Sequence, residues 1–211
     1  MEKKSKCKIC RRAGEKLFLK GDKCNSPKCP FLRKSYPPGS QVKKKRSGGE
    51  MSGYGRELNE ARKVKNIYNI SDRQFQKYVK EALKARESAD ASQYLFEKLE
   101  KRLDNIIFRV GIADSRSQAR QIINHGHFKV NNRRIDIPSY EVNIGDEITP
   151  TKKFQNSEFL KRRIITLKDR EFPSWLEVDK ETLKIKVKSN PKVDDLGYKI
   201  DLPLIISFYS R

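Results

Sequence analysis

From Ser71 to Arg86 the apolar residues Phe75, Tyr78, Val79, Ala82 and Leu83 return every three or four positions, and Arg73, Lys77, Lys80 and Lys84 fall between them. That spacing predicts an amphipathic helix with one buried stripe, and Ser71 suits its N-cap. Before it, "ELNEARKVKNIYN" reads as another helix ending near Asn69. After a turn over "ESADAS", the residues Leu95, Leu99, Leu103, Ile106 and Val110 predict a single helix closed by Gly111. Helices this short are marginal alone, so they should pack on one another.

The pattern changes beyond Asp114. Ser115 is a good N-cap for the short helix "RSQARQIINH", and Gly126 suits its C-terminal end. "HFKVNNRRIDIPSYEVNIGDEI" then alternates as strands do, with Phe128 and Val130 on one side and Lys129 and Asn131 on the other. Turn signals stand at Asn131-Asn132 and at Ile144-Gly145-Asp146. The unit is thus helix, turn, helix, turn and small hairpin. Further on, "SEFLKRRIITLKDREF" predicts a helix, and "SWLEVDKETLKIKVKS" predicts two strands around a turn at Asp179–Thr182. "LIISFYS" fits a strand by its β-branched content or a short helix opened by Asp201 and Pro203. The fold class is α+β.

Composition narrows the partner. The 211 residues are 36% hydrophobic and 36% charged, which allows modest cores and one or two domains. No apolar run is long enough to span a membrane. The start, "MEKKSKCKIC", lacks the apolar stretch of a secretory signal, so a cytoplasmic protein with reduced thiols is expected. The net charge is +21, which calls for an extended polyanion such as nucleic acid. The charge is uneven. Residues 1–48 hold 16 basic and 3 acidic side chains, 49–169 hold 24 and 17, and 170–211 hold 8 and 7. The polyanion should therefore meet the N-terminal half and the middle of the chain.

All four cysteines lie near the start, as Cys7-x2-Cys10 and Cys24-x4-Cys29. Two close pairs across a short loop suit a tetrahedral four-thiolate zinc site, one structural ion per chain. Two disulfides or an iron–sulfur cluster are the rival readings; a cytosolic setting opposes the first, and no redox partner motif accompanies the second. The cations around the thiols, Arg11 and Arg12 among them, offset the charge of four thiolates and favour ligation. Four thiolates leave no open position for catalysis. Next comes "SYPPGSQVKKKRSGGEMSGYG", a loop or extended arm whose Lys43, Lys44, Lys45 and Arg46 suit phosphates.

In the middle of the chain Arg116 and Arg120 lie four apart on the short helix, and Gln118, His125, Lys129 and Arg133 can reach the same edge. A basic helix face beside a turn can straddle a phosphate backbone, and the helix start at Ser115 adds its own preference for anions. Tyr36, Tyr54 and Tyr140 are candidates for stacking on unpaired bases, although Tyr140 serves equally well as core.

"LFLKGDKCNSPKC", "SYPPG", "NISDRQFQKYVKEA", "LEKRLDNIIFRVG", "SRSQARQIINHGHFKVN", "IPSYEV", "GDEI", "WLEVD" and "SFYSR" follow one another in an order and separation that resemble the bacterial small-subunit ribosomal protein S-four family along nearly the whole chain. The resemblance implies a mostly helical N-terminal domain carrying the zinc knuckle, as in the four-cysteine branch, and an S-four-type RNA-binding domain. It divides the chain into 1–48 (knuckle and arm), 49–98 (helical, joined by the tail 190–211) and 99–189 (RNA-binding). It implies direct binding to small-subunit ribosomal RNA at a helix junction of the five-prime domain, early in assembly. It further implies a place on the messenger RNA entry path beside the third and fifth small-subunit proteins, an effect on decoding accuracy, and in some bacteria autorepression. The family's contacts map onto Arg102, Arg116, Arg120, Lys129 and Arg133, and more weakly onto Gln118 and Tyr140. The loop after "YPPG" departs from the family's usual Gln-His-Gly, so its RNA contacts do not transfer position by position.

An RNA-modifying enzyme bearing the same module is the main rival. Arg102-Leu103-Asp104 spells the triplet around the catalytic aspartate of pseudouridine synthases, but here it precedes the module, and too little chain follows for a catalytic domain. His125 and His127, the only histidines, lack an obvious Asp or Cys partner. A zinc-dependent DNA-binding protein would need a recognition helix close behind the knuckle, and none follows. The sequence reads as a binding protein, not an enzyme, and Asp104 as a salt-bridging or capping residue.

Overall fold

The structure is a computed structural model that describes residues 5–39, 52–85, 90–167, 170–195, 197 and 200–210. Its helices, in chain order, are α1 (Lys6–Ala13), α2 (Asp22–Asn25), α3 (Pro30–Arg33), α4 (Gly53–Tyr68), α5 (Asp72–Ala85), α6 (Ala91–Glu100), α7 (Leu103–Val110), α8 (Arg116–Asn124), α9 (Lys152–Gln155), α10 (Glu158–Leu167) and α11 (Leu202–Tyr209). The strands are β1 (Phe128–Val130), β2 (Arg133–Ile135), β3 (Glu147–Pro150), β4 (Leu176–Val178) and β5 (Ile185–Val187). Two compact units result, Met1–Lys84 with Ile200–Arg211, and Ala85–Lys199. No described helix is long and apolar enough to cross a membrane.

The first unit packs as its apolar spacing requires. On α5 the side chains of Phe75, Tyr78, Val79 and Ala82 are buried, Leu83 is half-buried, and Arg73, Lys77, Lys80 and Lys84 face solvent. Helix α4 contributes Ala61, Val64, Ile67 and Tyr68, and α11 covers it with Leu202, Ile205 and Ile206. The ambiguous C-terminal segment is a helix because Asp201 caps it, its carboxylate accepting from the Leu204 N–H at 3.0 Å, with Pro203 in the first turn.

The second unit is a five-stranded antiparallel sheet of order β2-β1-β3-β5-β4, backed by α7, α8 and α10. Asn131 and Asn132 both take positive φ, 48° and 66°, as a two-residue hairpin turn demands. Inward residues Phe128, Val130, Ile148, Ile185 and Val187 join Leu103, Ile106, Ile107 and Trp175 in one core.

One expectation needs correction here. The continuous helix from Leu95 to Val110 is broken at Lys101 and Arg102, where Arg102 turns extended at φ −66° and ψ 134°. The break is stabilised by the segment 138–142, which supplies carbonyls to the first turn of α7. Leu103 N–H donates to Tyr140 O at 2.9 Å and Asp104 N–H to Pro138 O at 3.0 Å, while Val142 N–H donates to Lys101 O at 2.9 Å. Compact packing also groups α6 with α7 in the second unit, whose bounds are Ala85 and Lys199. Lys43, Lys44, Lys45 and Arg46 lie outside the described residues.

Candidate nucleic-acid interface

Asp104 is the hub of the helix–turn–helix. It is 1% exposed and accepts from Arg102 Nε at 3.0 Å, Arg102 Nη2 at 2.9 Å and Arg120 Nε at 2.7 Å. A carboxylate buried this deeply costs several kcal/mol unless fully paired, and two guanidiniums supply the pairing. Beside it, Asn105 is wholly buried; its amide donates to the Glu100 carbonyl at 3.1 Å and accepts from Arg116 Nε at 2.8 Å. The Arg116 guanidinium also lies 4.4 Å over the Phe108 ring.

The sequence groups Arg116 and Arg120 on one basic helix edge, the family resemblance adds Arg102, and the structure divides the three. Arg102 and Arg116 are buried at 3% and 5%, whereas the side chain of Arg120 keeps 26% exposure. Gln118 closes the loop before α8, accepting from the Asp114 N–H at 2.7 Å, while its own N–H meets the Ser115 cap at 3.3 Å. Asp104, in turn, is a salt-bridging residue, as its position at the start of a helix suggests.

On the sheet, the hairpin register pairs Lys129 with Arg134 and Val130 with Arg133. Directly opposed residues share a face, so Lys129 and Arg134 stand together on the outer face, and Arg133 stands on the side of Val130. Arg134 is therefore the cation that the sequence reading missed, and the two-residue Asn131-Asn132 turn was the signal for it. Its Nη2 donates to the His125 carbonyl at 3.1 Å, and its guanidinium crosses Gly126, where any Cβ would lie 2.1 Å from Nε. His127 stacks on Phe154 at 4.5 Å with an interplanar angle of 8°, and the His125 ring is 5.8 Å away. Burial first, then the charges of His125, Arg134 and Lys153, hold the His127 imidazole below its ordinary pKa. Tyr140 is half-buried against the core.

In the first unit, α1 presents Cys7 and Cys10 one turn apart, Cys24 sits in α2, and Cys29 caps α3. All four are free thiols lining one cavity of about 10 Å³, also bounded by Leu19 and Phe31. The Lys20 N–H donates to Cys24 Sγ at 3.3 Å. Burial raises the Cys10 thiol pKa, a backbone hydrogen bond from Leu17 opposes this, and the other three cysteines raise it further. At Lys6, burial and then Lys20 lower the ammonium pKa, while Cys24 raises it. As arranged, no three His, Cys, Asp or Glu among the described residues form a group that could hold a metal ion. The donor set still fits zinc chemically: four thiols share one cavity, with a backbone N–H directed at sulfur.

Outside the thiols the knuckle is cationic. Lys8, Arg11, Arg12 and Lys34 line an open cavity of about 390 Å³ with Tyr36. Arg11 Nε donates to the Tyr36 carbonyl at 2.8 Å and its guanidinium lies 4.8 Å over the ring. Tyr54, by contrast, packs its ring 5.5 Å from Phe208.

Arginines ordered by buried carboxylate and amide partners beside a cationic hairpin in one unit, and a cationic knuckle in the other, are the features of a nucleic-acid-binding protein. The comparisons give the family. The chain matches the model of the ribosomal protein S4/S9 N-terminal domain over residues 2–101 and that of the S4 domain over 101–148. It is 43% identical over 205 residues to the small ribosomal subunit protein uS4 of Thermus thermophilus, covering 97% of this chain and 96% of that one. It is 41% identical over 207 residues to uS4 of Thermodesulfovibrio yellowstonii, covering 98% and 97%, and 40% identical over 209 residues to uS4 of Syntrophus aciditrophicus, covering 99% and 98%. The chain belongs to the ribosomal protein S4 family, uS4. By sequence the family models divide it at Lys101; by packing, α6 goes with the module.

Proposed function

We propose that the protein is a structural constituent of the small ribosomal subunit in the bacterial cytoplasm and binds small-subunit ribosomal RNA directly. The observation that carries this is whole-chain identity of 40–43% to curated proteins named small ribosomal subunit protein uS4. The role is binding, not turnover, as family membership also indicates. Within it, Arg120 and the Lys129–Arg134 pair meet phosphates, while Arg102, Arg116 and Gln118 hold that surface in shape. Arg133 on this unit, and the knuckle cations Arg11 and Arg12 on the other, supply further phosphate contacts. The target is a helix junction of the five-prime domain, which is read through shape, phosphates and 2′-hydroxyls. The resemblance to the family supports a place on the messenger RNA entry path beside the third and fifth small-subunit proteins, and the Lys43–Arg46 run of the sequence suits phosphates.

Cys7, Cys10, Cys24 and Cys29 would hold one structural zinc ion, as in the four-cysteine branch. The reading is supported by the two close pairs and the cavity they share. Elemental analysis of the purified chain should find one zinc per molecule; a folded, metal-free knuckle refutes it.

The RNA reading is tested by titrating the zinc-loaded protein with a five-prime-domain transcript and with duplex DNA of equal charge across a salt series. Preference for the transcript that persists at high salt is the expected result. Equal affinity for both, vanishing with salt, would leave only the +21 charge at work.

A further inference from the structure

The cavity at Tyr36 has a chemistry that simple phosphate attraction does not require. Four cations and one aromatic ring line it, and no carboxylate is among its lining residues. Tyr36 is 40% exposed, so the ring is not an anchor for a core. Arg11 is fixed against it twice, through the backbone carbonyl and the ring face, which leaves a preassembled cation–aromatic stack facing a space of about 390 Å³. A space of a few hundred Å³ is the size of small-ligand sites and accommodates one nucleotide.

Building on the reading that this chain binds RNA, we propose that this cavity takes one unpaired nucleotide of a single-stranded RNA segment, its base on Tyr36 and its phosphate against Lys8, Arg12 and Lys34. A neighbouring cavity of about 470 Å³ shares Lys8, Arg11 and Lys34 and adds Lys20, Lys28 and Arg33. It is the track for the flanking phosphates. A duplex offers phosphates but no free base face, so Tyr36 would contribute nothing to it. An acidic peptide would pair with the lysines but has no base to stack. Stacking on aromatics combined with a basic groove is how unpaired strands are held without sequence readout.

The test uses the full-length, zinc-loaded protein with three probes: a short fluorescent oligouridylate, an RNA duplex with the same number of phosphates, and polyglutamate of equal charge. Tyr36→Leu should weaken oligouridylate binding about tenfold and leave the duplex within about twofold, while Tyr36→Phe binds as the wild type does. Photocrosslinking of 5-bromouridine RNA to the unaltered protein should map to Tyr36, a readout that needs no variant. Equal loss for strand and duplex in Tyr36→Leu, no loss in either, or polyglutamate competing as well as the oligouridylate would each overturn the proposal. If the five-prime-domain transcript still binds in those cases, the ribosomal reading stands and only the nucleotide pocket falls.

Discussion

Between residues 5 and 39 the buried apolar side chains are Cys10, Leu17, Cys24 and Cys29. In the module a continuous core runs from Leu103 through Phe128, Ile148 and Trp175 to Val187. Both regions must hold crowded cations, and they have different means of doing so. The knuckle has one true core residue, Leu17, and in our reading depends on four thiolates around a metal. The module has enough packing to bury a carboxylate and an amide, Asp104 and Asn105, and uses them to fix guanidiniums from within. A segment too small to bury ion pairs needs a cross-link; a segment with a core can order its arginines with groups of its own.

The largest effect should come from removing the zinc proposed for the knuckle. Structural zinc contributes about 10–16 kcal/mol of apparent binding energy in small domains. Chelation, or Cys24→Ser, should therefore abolish amide protection from Lys6 to Arg33 while leaving 103–150 protected. Hydrogen exchange with and without chelator reads both regions in one experiment. Unchanged protection in the knuckle would erase the contrast.

Next is the hub. Asp104→Asn leaves Arg102, 3% exposed, without its carboxylate partner, which typically costs about 3–5 kcal/mol. Arg120→Ala removes one of the two guanidiniums on the buried Asp104 and, because Arg102 stays on that carboxylate, should cost less, about 1–3 kcal/mol. Trp175, the only tryptophan, is 1% exposed in the same core and reports urea unfolding of this unit. If the two variants unfold alike, Asp104 is not the buried keystone described here.

These two regions also differ in how far the sequence discloses them. The stripe on α5 is legible because burial there follows local periodicity alone, and the caps at Ser115 and Asp201 follow from side-chain chemistry near the backbone. The break before α7 is not legible, because it is made by carbonyls of residues 138 and 140 that periodicity in 95–110 cannot see. For the same reason the four-residue spacing of Arg116 and Arg120 reads as one basic face, although tertiary partners draw Arg116 inside. Lys129 and Arg133 look like neighbours until the turn fixes a register that places Arg134 across from Lys129. At the knuckle, spacing brings the four cysteines to one cavity, but α1, α2 and α3 carry too few apolar positions to be foreseen.

That register makes a smaller prediction. Lys129→Ala with Arg134→Ala should reduce the salt slope of transcript binding by up to about 2, since each phosphate contact contributes about 0.9. Lys129→Ala with Arg133→Ala should reduce it less. The order reverses if Arg133, not Arg134, shares the face of Lys129. Folding stability should change little, because Arg133 and Arg134 are exposed.

The smallest effect concerns pH, and it separates the regions again. Burial first, then His125, Arg134 and Lys153, hold the folded pKa of His127 below the usual 6.5. Between those two values the unfolded chain binds more protons than the folded one. Its contribution to stability is thus complete above about pH 6.5 and declines as pH falls towards the folded pKa. Acid would also protonate the thiolates proposed to hold zinc, so the knuckle should weaken too, but by a route that chelation removes. Melting followed through Trp175 from pH 7.5 down to 5 should therefore show a decline that persists in chelator and is reduced in His127→Phe, where the stack on Phe154 is kept without a titrating ring. If His127→Phe melts with the same pH profile as the wild type, the imidazole has the same pKa folded and unfolded, and neither burial nor Arg134 shifts it.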